Sequence, residues 1–251
     1  MIVPAIAAGL VGALVGSFLN VVIWRLPRGE SVVSPRSRCP GCGVTLRARD
    51  NVPVLSWLAL RGRCHACGEP ISPRYPLVEL LTAALLFAVV LTADPPREAW
   101  LGAAFMLLLV PITFIDLDHR IIPNRLTALG AVVAIALVAG LDTDSLPEHL
   151  IAGAAAGGFL LIAAVLYPAG MGMGDVKLAG VMGLYLGRAV GPAMLVALVA
   201  GSLVGALIMA RLGAAKGRKT AVPFGPFLAL GGAVAWFAGD AMVDWYLDTF
   251  T

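Results

Sequence analysis

The chain has 251 residues, 59% of them hydrophobic and 13% charged, with 18 Lys and Arg against 15 Asp and Glu. Soluble domains run near 45–50% apolar and about 25% charged, so this composition, with a mean hydropathy of +0.90, excludes an ordinary soluble domain. It predicts an all-α polytopic membrane protein, with lipid as a partner and no nucleic-acid partner.

Eight apolar segments are predicted, at about residues 2–24, 77–93, 99–115, 125–141, 148–168, 175–188, 190–210 and 223–243. Several approach the ~20 apolar residues that cross a bilayer as a helix. The first, within MIVPAIAAGLVGALVGSFLNVVIWRLPRG, has the length of a secretory signal but not its charge order. Its first basic residue, Arg25, follows the apolar run. That order predicts an uncleaved helix with its N-terminus outside. Small residues at Gly12 and Gly16, at Gly201 and Gly205, and in IAGAAAGG are spaced for close helix packing. No internal repeat is evident.

Residues 25–76 form the one substantial polar piece, with nine of the arginines and all four cysteines. It is too short for a core of its own and needs a staple. Cys39, Cys42, Cys64 and Cys67 supply one as C-x2-C-x21-C-x2-C, each pair followed by glycine (CPGCG and CHACG). Two residues between cysteines let one tight turn aim both sulfurs at one ion, and four thiolates match structural tetrahedral zinc. Arg36, Arg38, Arg61 and Arg63 would offset the charge of such a site. Iron fits the same ligand set, and two disulfides or a redox pair are the remaining chemistries. A cytosolic loop argues against persistent disulfides. His65 is expected to be a bystander.

The third segment ends in FIDLDHRIIPN, which carries Asp116, Asp118 and His119 before a helix-interrupting IPN. The sixth begins in GMGDVKL, with Asp175 between Gly174 and Val176 and Lys177 beyond. It is short and contains Gly180, Gly183 and Gly187. With the N-terminus outside, the cytosolic pieces are 25–76, about 116–125, about 169–178 and 211–222. They hold 16 of the 18 Lys and Arg, leaving Arg97 and Arg188 outside, which agrees with the positive-inside bias.

An ionisable group at the centre of a membrane helix costs at least about 2.5 kcal/mol on insertion scales, so it faces a cavity or a partner. Asp116 and Asp175 fall in the same membrane layer. Two carboxylates sharing one site hold a proton between them, giving an acid and a base that can activate water. Gly172 and Gly174 leave backbone open for another chain to approach the carboxylate. Lys177 is expected to reach the headgroups. In the alternative reading, Asp116, Asp118 and Asp175 are interfacial charges paired with Arg120, Arg125 and Lys177. A proton- or metal-coupled transporter and a docking scaffold also remain open.

The ordered set of GSFLNVVIWRLP (16–27), the paired cysteine knuckles, ISPRYPLVELLTA (71–83), FIDLDHRIIPN (114–124), GMGDVKL (172–178) and PFGPFLALGG (223–232) resembles the type IV prepilin peptidases, a family of GxGD-type aspartic membrane proteases. The resemblance covers nearly the whole chain. It implies an enzyme of the bacterial inner membrane that removes the leader of prepilins or pseudopilins at the cytosolic face. It also implies methylation of the new N-terminus by S-adenosylmethionine. The catalytic pair carries over onto Asp116 and onto Asp175 of the GxGD motif with Gly172 and Gly174; Asp118 falls outside the family's pattern and is expected, like Lys177, to be a supporting charge. The implied domains are a first helix (1–24), a zinc-bearing, methyltransferase-associated loop (25–76) and a peptidase core (77–251). Glu30, Asp50, Glu69 and Glu79 are the acidic groups available to a basic leader. No Gly-rich motif after a strand marks a methyl-donor pocket, so its residues are unassigned.

Overall fold

The computed structural model describes residues 2–167, 171–213, 220 and 222–250. The basic positions Lys216, Arg218 and Lys219, expected on the cytosolic side, lie outside the described residues. Among the described residues the regular structure is helical: α1 (Ile2–Arg25), the short α2 (Leu55–Ala59), α3 (Arg74–Thr92), α4 (Glu98–His119), α5 (Asn124–Leu141), α6 (Leu146–Leu166), α7 (Met173–Leu186), α8 (Val190–Leu212) and α9 (Gly225–Phe250). The eight long helices follow the eight predicted segments. Seven stretches are long and apolar enough to cross a bilayer, Met173–Leu212 counting as one. Gly187, at φ 53°, divides that stretch into α7 and α8.

The chain divides into two compact units, Met1–Ala99 and Trp100–Thr251. In the first, α1 packs along α3 with its small residues inward. A Cβ on Gly12 would meet Ala83 Cα at 2.9 Å, and one on Gly16 would meet Glu79 Cα at 2.8 Å. Such closeness substitutes for a hydrophobic driving force that lipid does not provide. Asn20 ties the pair together, its side-chain amide donating to the Tyr75 carbonyl at 3.1 Å and the Gly16 carbonyl at 3.3 Å. Outward positions such as Leu10 and Leu14 are exposed and apolar, as a lipid-facing surface requires.

In the second unit, α6 lies against α7 and α8 against α9. Gly183 seats on the Ala152 backbone and Gly231 on the Ala193 carbonyl. The core is built around Phe105, which is fully buried and stacks on Tyr185 with centroids 4.8 Å apart and rings 20° from parallel. Gly232 makes room for it, since a Cβ there would lie 2.9 Å from Phe105 Cζ. Gly201 touches Phe224, but Gly205 has nothing within 4 Å among the described residues, so of that pair the first serves packing there. At the far end of α7, Arg188 donates to Asp240 and Asp244, both at 2.9 Å, fastening the α7–α8 turn to α9.

Two boundaries differ from expectation. The third segment does not stop at 115: α4 runs on to His119, because Asp116 is buried in a packed helix rather than spent at a frayed end. The eighth does not stop at 243: α9 runs on to Phe250. The sixth is short, as expected: 14 residues span about 21 Å at 1.5 Å each, less than a hydrocarbon core of about 30 Å.

Candidate active site and cysteine centre

Asp116 lies three residues from the end of α4 and is 5% exposed. Its Oδ2 accepts the backbone N–H of Gly225, the first residue of α9, at 2.9 Å. The four leading N–H groups of a helix have no intrahelical acceptor, and the helix dipole favours an anion there. Pro226 at the next position suits a first helical turn. The α9 N-terminus thus acts as a fixed positive pole for the Asp116 carboxylate. Gly225 must be glycine for this approach: a Cβ would sit 2.7 Å from Asp116 Oδ2 and 3.1 Å from its Cγ.

Asp175 occupies the first turn of α7, half-buried, and its Oδ2 accepts the Gly172 N–H at 3.2 Å. The Asp175 N–H in turn donates to the Gly172 carbonyl at 3.1 Å. This reciprocal pairing closes the helix N-terminus in the manner of a capping box. Gly174 lies directly against the segment that follows α4, where a Cβ would meet Ile122 Cβ at 2.9 Å. Lys177 does not stand free toward the headgroups. Its Nζ donates to Asn124 Oδ1 at 2.9 Å, adding a second tie between α7 and the 120–124 segment.

These contacts bring the ends of α4, α7 and α9 to one place, with Asp116 and Asp175 at the same junction of helix ends. The hydrogen-bond partners of both carboxylates are backbone N–H groups rather than Arg120, Arg125 or Lys177. Arg120, at φ 54°, reverses the chain after α4. Asp118 is exposed two residues beyond Asp116. Sequence reasoning missed Gly225. Its stretch, PFGPFLALGG, carried the family resemblance without giving the glycine a role, and its partner lies 109 positions away.

In the other unit, the four cysteine sulfurs all lie within 4.8 Å of one another, with Cys39 Sγ and Cys67 Sγ 3.8 Å apart. Four sulfurs about 2.3 Å from a tetrahedral zinc ion would be separated by about 3.8 Å, so the cluster fits such an ion. The two knuckles are built alike. Cys39 N–H donates to the Val44 carbonyl and Gly43 N–H to Cys39; Cys64 N–H donates to Glu69 and Gly68 N–H to Cys64. Gly43 and Gly68 take φ of 72° and 75°, a left-handed conformation that glycine adopts without penalty. Backbone N–H groups of Cys67 and Ala66 pull the Cys64 thiol down to about 7. The Glu69 backbone also favours the Cys67 thiolate, but partial loss of water contact and the neighbouring sulfurs of Cys42, Cys64 and Cys39 outweigh it and push that thiol up to about 12. His65 stays outside the ligand set, its Nδ1 3.1 Å from Asp50.

Among the described residues, then, this is a multi-pass helical membrane protein with a carboxylate pair at the meeting of three helix ends and a four-cysteine centre in its polar loop. Residues 10–93 match the Bacterial Peptidase A24 N-terminal domain, and residues 103–210 match the type IV leader peptidase family. A prepilin leader peptidase/N-methyltransferase of Aeromonas hydrophila is 40% identical over an alignment that covers 96% of this chain and 93% of that protein. One from Myxococcus xanthus is 43% identical over 83% of this chain and 64% of that protein. The type 4 prepilin-like proteins leader peptide-processing enzyme of Escherichia coli O78:H11 is 40% identical over 88% of this chain and 89% of its own length. No solved structure matches the chain. The chain belongs to the type IV leader peptidase family.

Proposed function

We propose that this protein removes the leader from prepilin or pseudopilin substrates with Asp116 and Asp175 as the catalytic pair, and then methylates the exposed N-terminal amine. The observation that carries the peptidase half is the convergence of two carboxylates, each hydrogen-bonded to backbone, at the meeting of α4, α7 and α9. One aspartate takes a proton from water as its oxygen attacks the scissile carbonyl carbon, while the other gives its proton to the carbonyl oxygen. The tetrahedral adduct collapses, the C–N bond breaks, and the leaving nitrogen takes a proton from the pair. The pair titrates as one unit, so neither role belongs to a single residue. Gly172 keeps the Asp175 carboxylate clear of a side chain and Gly174 lets α7 close on Ile122, Lys177 holds α7 to the 120–124 segment, and Asp118 is a nearby supporting charge.

Orientation follows from charge. Placing residues 25–76, about 116–125, about 169–178 and 211–222 in the cytosol of a bacterium puts 16 of the 18 Lys and Arg there, with the N-terminus outside. Both aspartates then sit at the cytosolic face of the inner membrane, where a basic leader gives way to a membrane helix. Residues 77–251 contain the peptidase core, and residues 25–76, carried on the first helix (1–24), are the methyltransferase-associated part. Cys39, Cys42, Cys64 and Cys67 hold a structural zinc ion. S-adenosylmethionine supplies an activated methyl group on a sulfonium, which an unprotonated amine accepts as the thioether departs.

The purified chain, incubated in detergent with a prepilin and S-adenosylmethionine, is expected to yield a shortened product one methyl group heavier at its N-terminus by mass spectrometry. An uncut substrate would overturn the peptidase reading, and a cut but unmethylated product would overturn the methyltransferase half alone.

A further inference from the structure

Glu79, in the second turn of α3, is 7% exposed and does not face the surface as a partner for a basic leader. Its Oε2 accepts the Val54 N–H at 2.7 Å, and the Ser17 hydroxyl of α1 donates to the same carboxylate. The Val54 contact fixes the depth of the 52–58 segment. Glu79 lies five residues into α3, about 7.5 Å along the helix from Arg74 at 1.5 Å per residue. The matching level of α1 is Gly16 and Ser17, since a Cβ on Gly16 would meet Glu79 Cα at 2.8 Å. The first basic residue of α1, Arg25, comes eight positions after Ser17. Both helices are apolar and exposed at this level, through Leu14 and Phe18 on α1 and Leu77 and Leu80 on α3. Part of the polar loop therefore turns back to a depth at which both helices face lipid.

The segment is built for that place. Val54 takes φ 62°, a conformation that a β-branched residue seldom adopts, and the hydrogen bond to Glu79 holds it there. The turn leads into α2, whose two sides differ. Ser56, Trp57 and Leu60 line the interior cavity of the loop, and the Trp57 ring N–H donates to the Ile71 carbonyl at 3.0 Å. Leu55 and Leu58, three apart on α2 and so on one face, are 66% and 58% exposed, and Val52 just before them is 42% exposed. Arg47, Arg49, Arg61 and Arg63 flank the segment and are exposed. Asp50, the one acid between residues 46 and 63, is taken up by His65. An apolar face sunk about 5–10 Å into the boundary of headgroups and acyl chains, with cations at its margins, is how a helix lies in a membrane surface, and arginine stems reach from there to the phosphates. We propose that residues 52–58 seat in the leaflet beside α1 and α3, with Val52, Leu55 and Leu58 against the acyl chains of anionic phospholipid and the four arginines on its headgroups. A soluble protein could reach that face only by entering the same layer. On the methyltransferase reading above, the seat holds the cysteine loop at the level where the cut end of a substrate emerges.

The test puts photoreactive p-benzoylphenylalanine in place of Leu55 or Leu58 in the full-length protein, held in nanodiscs of phosphatidylcholine and phosphatidylglycerol. Irradiation is expected to attach phospholipid to both variants at least fivefold more than with the same group at Thr45, an exposed position beside the first knuckle. Phosphatidylglycerol should be attached at least twice as often as its share of the lipid, and Arg49→Gln with Arg61→Gln should bring it down to that share. Products joined to residues 100–251 or to a second copy with no lipid adduct, or equal lipid yields at 45, 55 and 58, would overturn the seat. Attachment in strict proportion to lipid composition without the arginine substitutions would overturn the assignment to anionic lipid. Bound metal reports the folding of the loop, and if a variant loses it the reciprocal label decides. Wild type irradiated with phosphatidylglycerol bearing an acyl-chain diazirine should carry adducts on peptides containing Val52, Leu55 or Leu58; label on α1 and α3 but not there would overturn the proposal. Neither readout measures cleavage or methylation, so its failure would leave the enzymatic reading standing.

Discussion

Replacing Gly225 with alanine perturbs the site by a single methyl group. That Cβ would stand 2.7 Å from Asp116 Oδ2, about 0.7 Å inside the distance at which ordinary contact begins. The atom it meets is the carboxylate that the Gly225 N–H itself holds, so relief of the clash must displace Asp116, α9 or both. A misplacement of about 1 Å at a reacting group costs on the order of 100-fold in rate. A shift of several tenths of an ångström is expected to lower kcat about 30–100-fold, or about 2–2.7 kcal/mol in the barrier, with KM little changed. Folding should survive, because alanine favours a helix over glycine by about 1 kcal/mol. The assay is the initial rate of leader removal from a purified prepilin in detergent, with thermal melting alongside. Gly205→Ala is the control: among the described residues nothing lies within 4 Å of its Cβ position, and its rate should match wild type. A Gly225→Ala enzyme within twofold of wild type would refute the claim that the α9 N-terminus positions Asp116.

Gly174→Ala should also slow cleavage, by about tenfold or more, because its Cβ would meet Ile122 Cβ at 2.9 Å and push α7 away. The double variant with Ile122→Gly should recover part of the loss, and strict additivity of the two effects would show that the contact is immaterial. Cys42→Ser should reduce bound metal below one ion per chain by elemental analysis and impair methyl-donor binding, with cleavage largely kept. Loss of cleavage in proportion to metal would contradict that division. Metal binding to the chelator-stripped protein at pH 8 should release protons, because Cys67, with its thiol at about 12, enters protonated and binds as thiolate. Affinity should therefore rise with pH. Binding heats that do not depend on the ionisation enthalpy of the buffer would rule this out.

The helices were legible because lipid demands long uninterrupted apolar runs, and the cysteine centre because two short knuckles carry their ligand geometry locally, down to the left-handed Gly43 and Gly68. Local pattern was a poorer guide at the ends of elements. The polar string Asp116, Asp118 and His119 reads as the close of a helix, yet α4 continues through it because tertiary packing buries Asp116. Asp175 and Asp116 stand out as charges in apolar surroundings, but their backbone partners do not. The Gly225 N–H comes from a helix far along the chain, and no periodicity announces it. Lys177 reads as a snorkelling cation, and only the fold shows Asn124 within its reach. Glu79 reads as a surface acid near a basic loop, whereas the close packing of α1 on α3 turns it inward against Val54. In each case the missing information is which backbone lies opposite, a property of the folded chain rather than of the segment.

The central claim is that Asp116 and Asp175 act together on the leader peptide bond. Its most direct measurement is the cleavage rate of Asp116→Asn and Asp175→Asn, each purified folded and metal-replete, against the same prepilin. Each variant should fall at least about 1,000-fold, within the range that positioned acid–base groups contribute, and the double variant should fall little further because the pair works as one unit. Cleavage by either single variant near the wild-type rate would contradict the account.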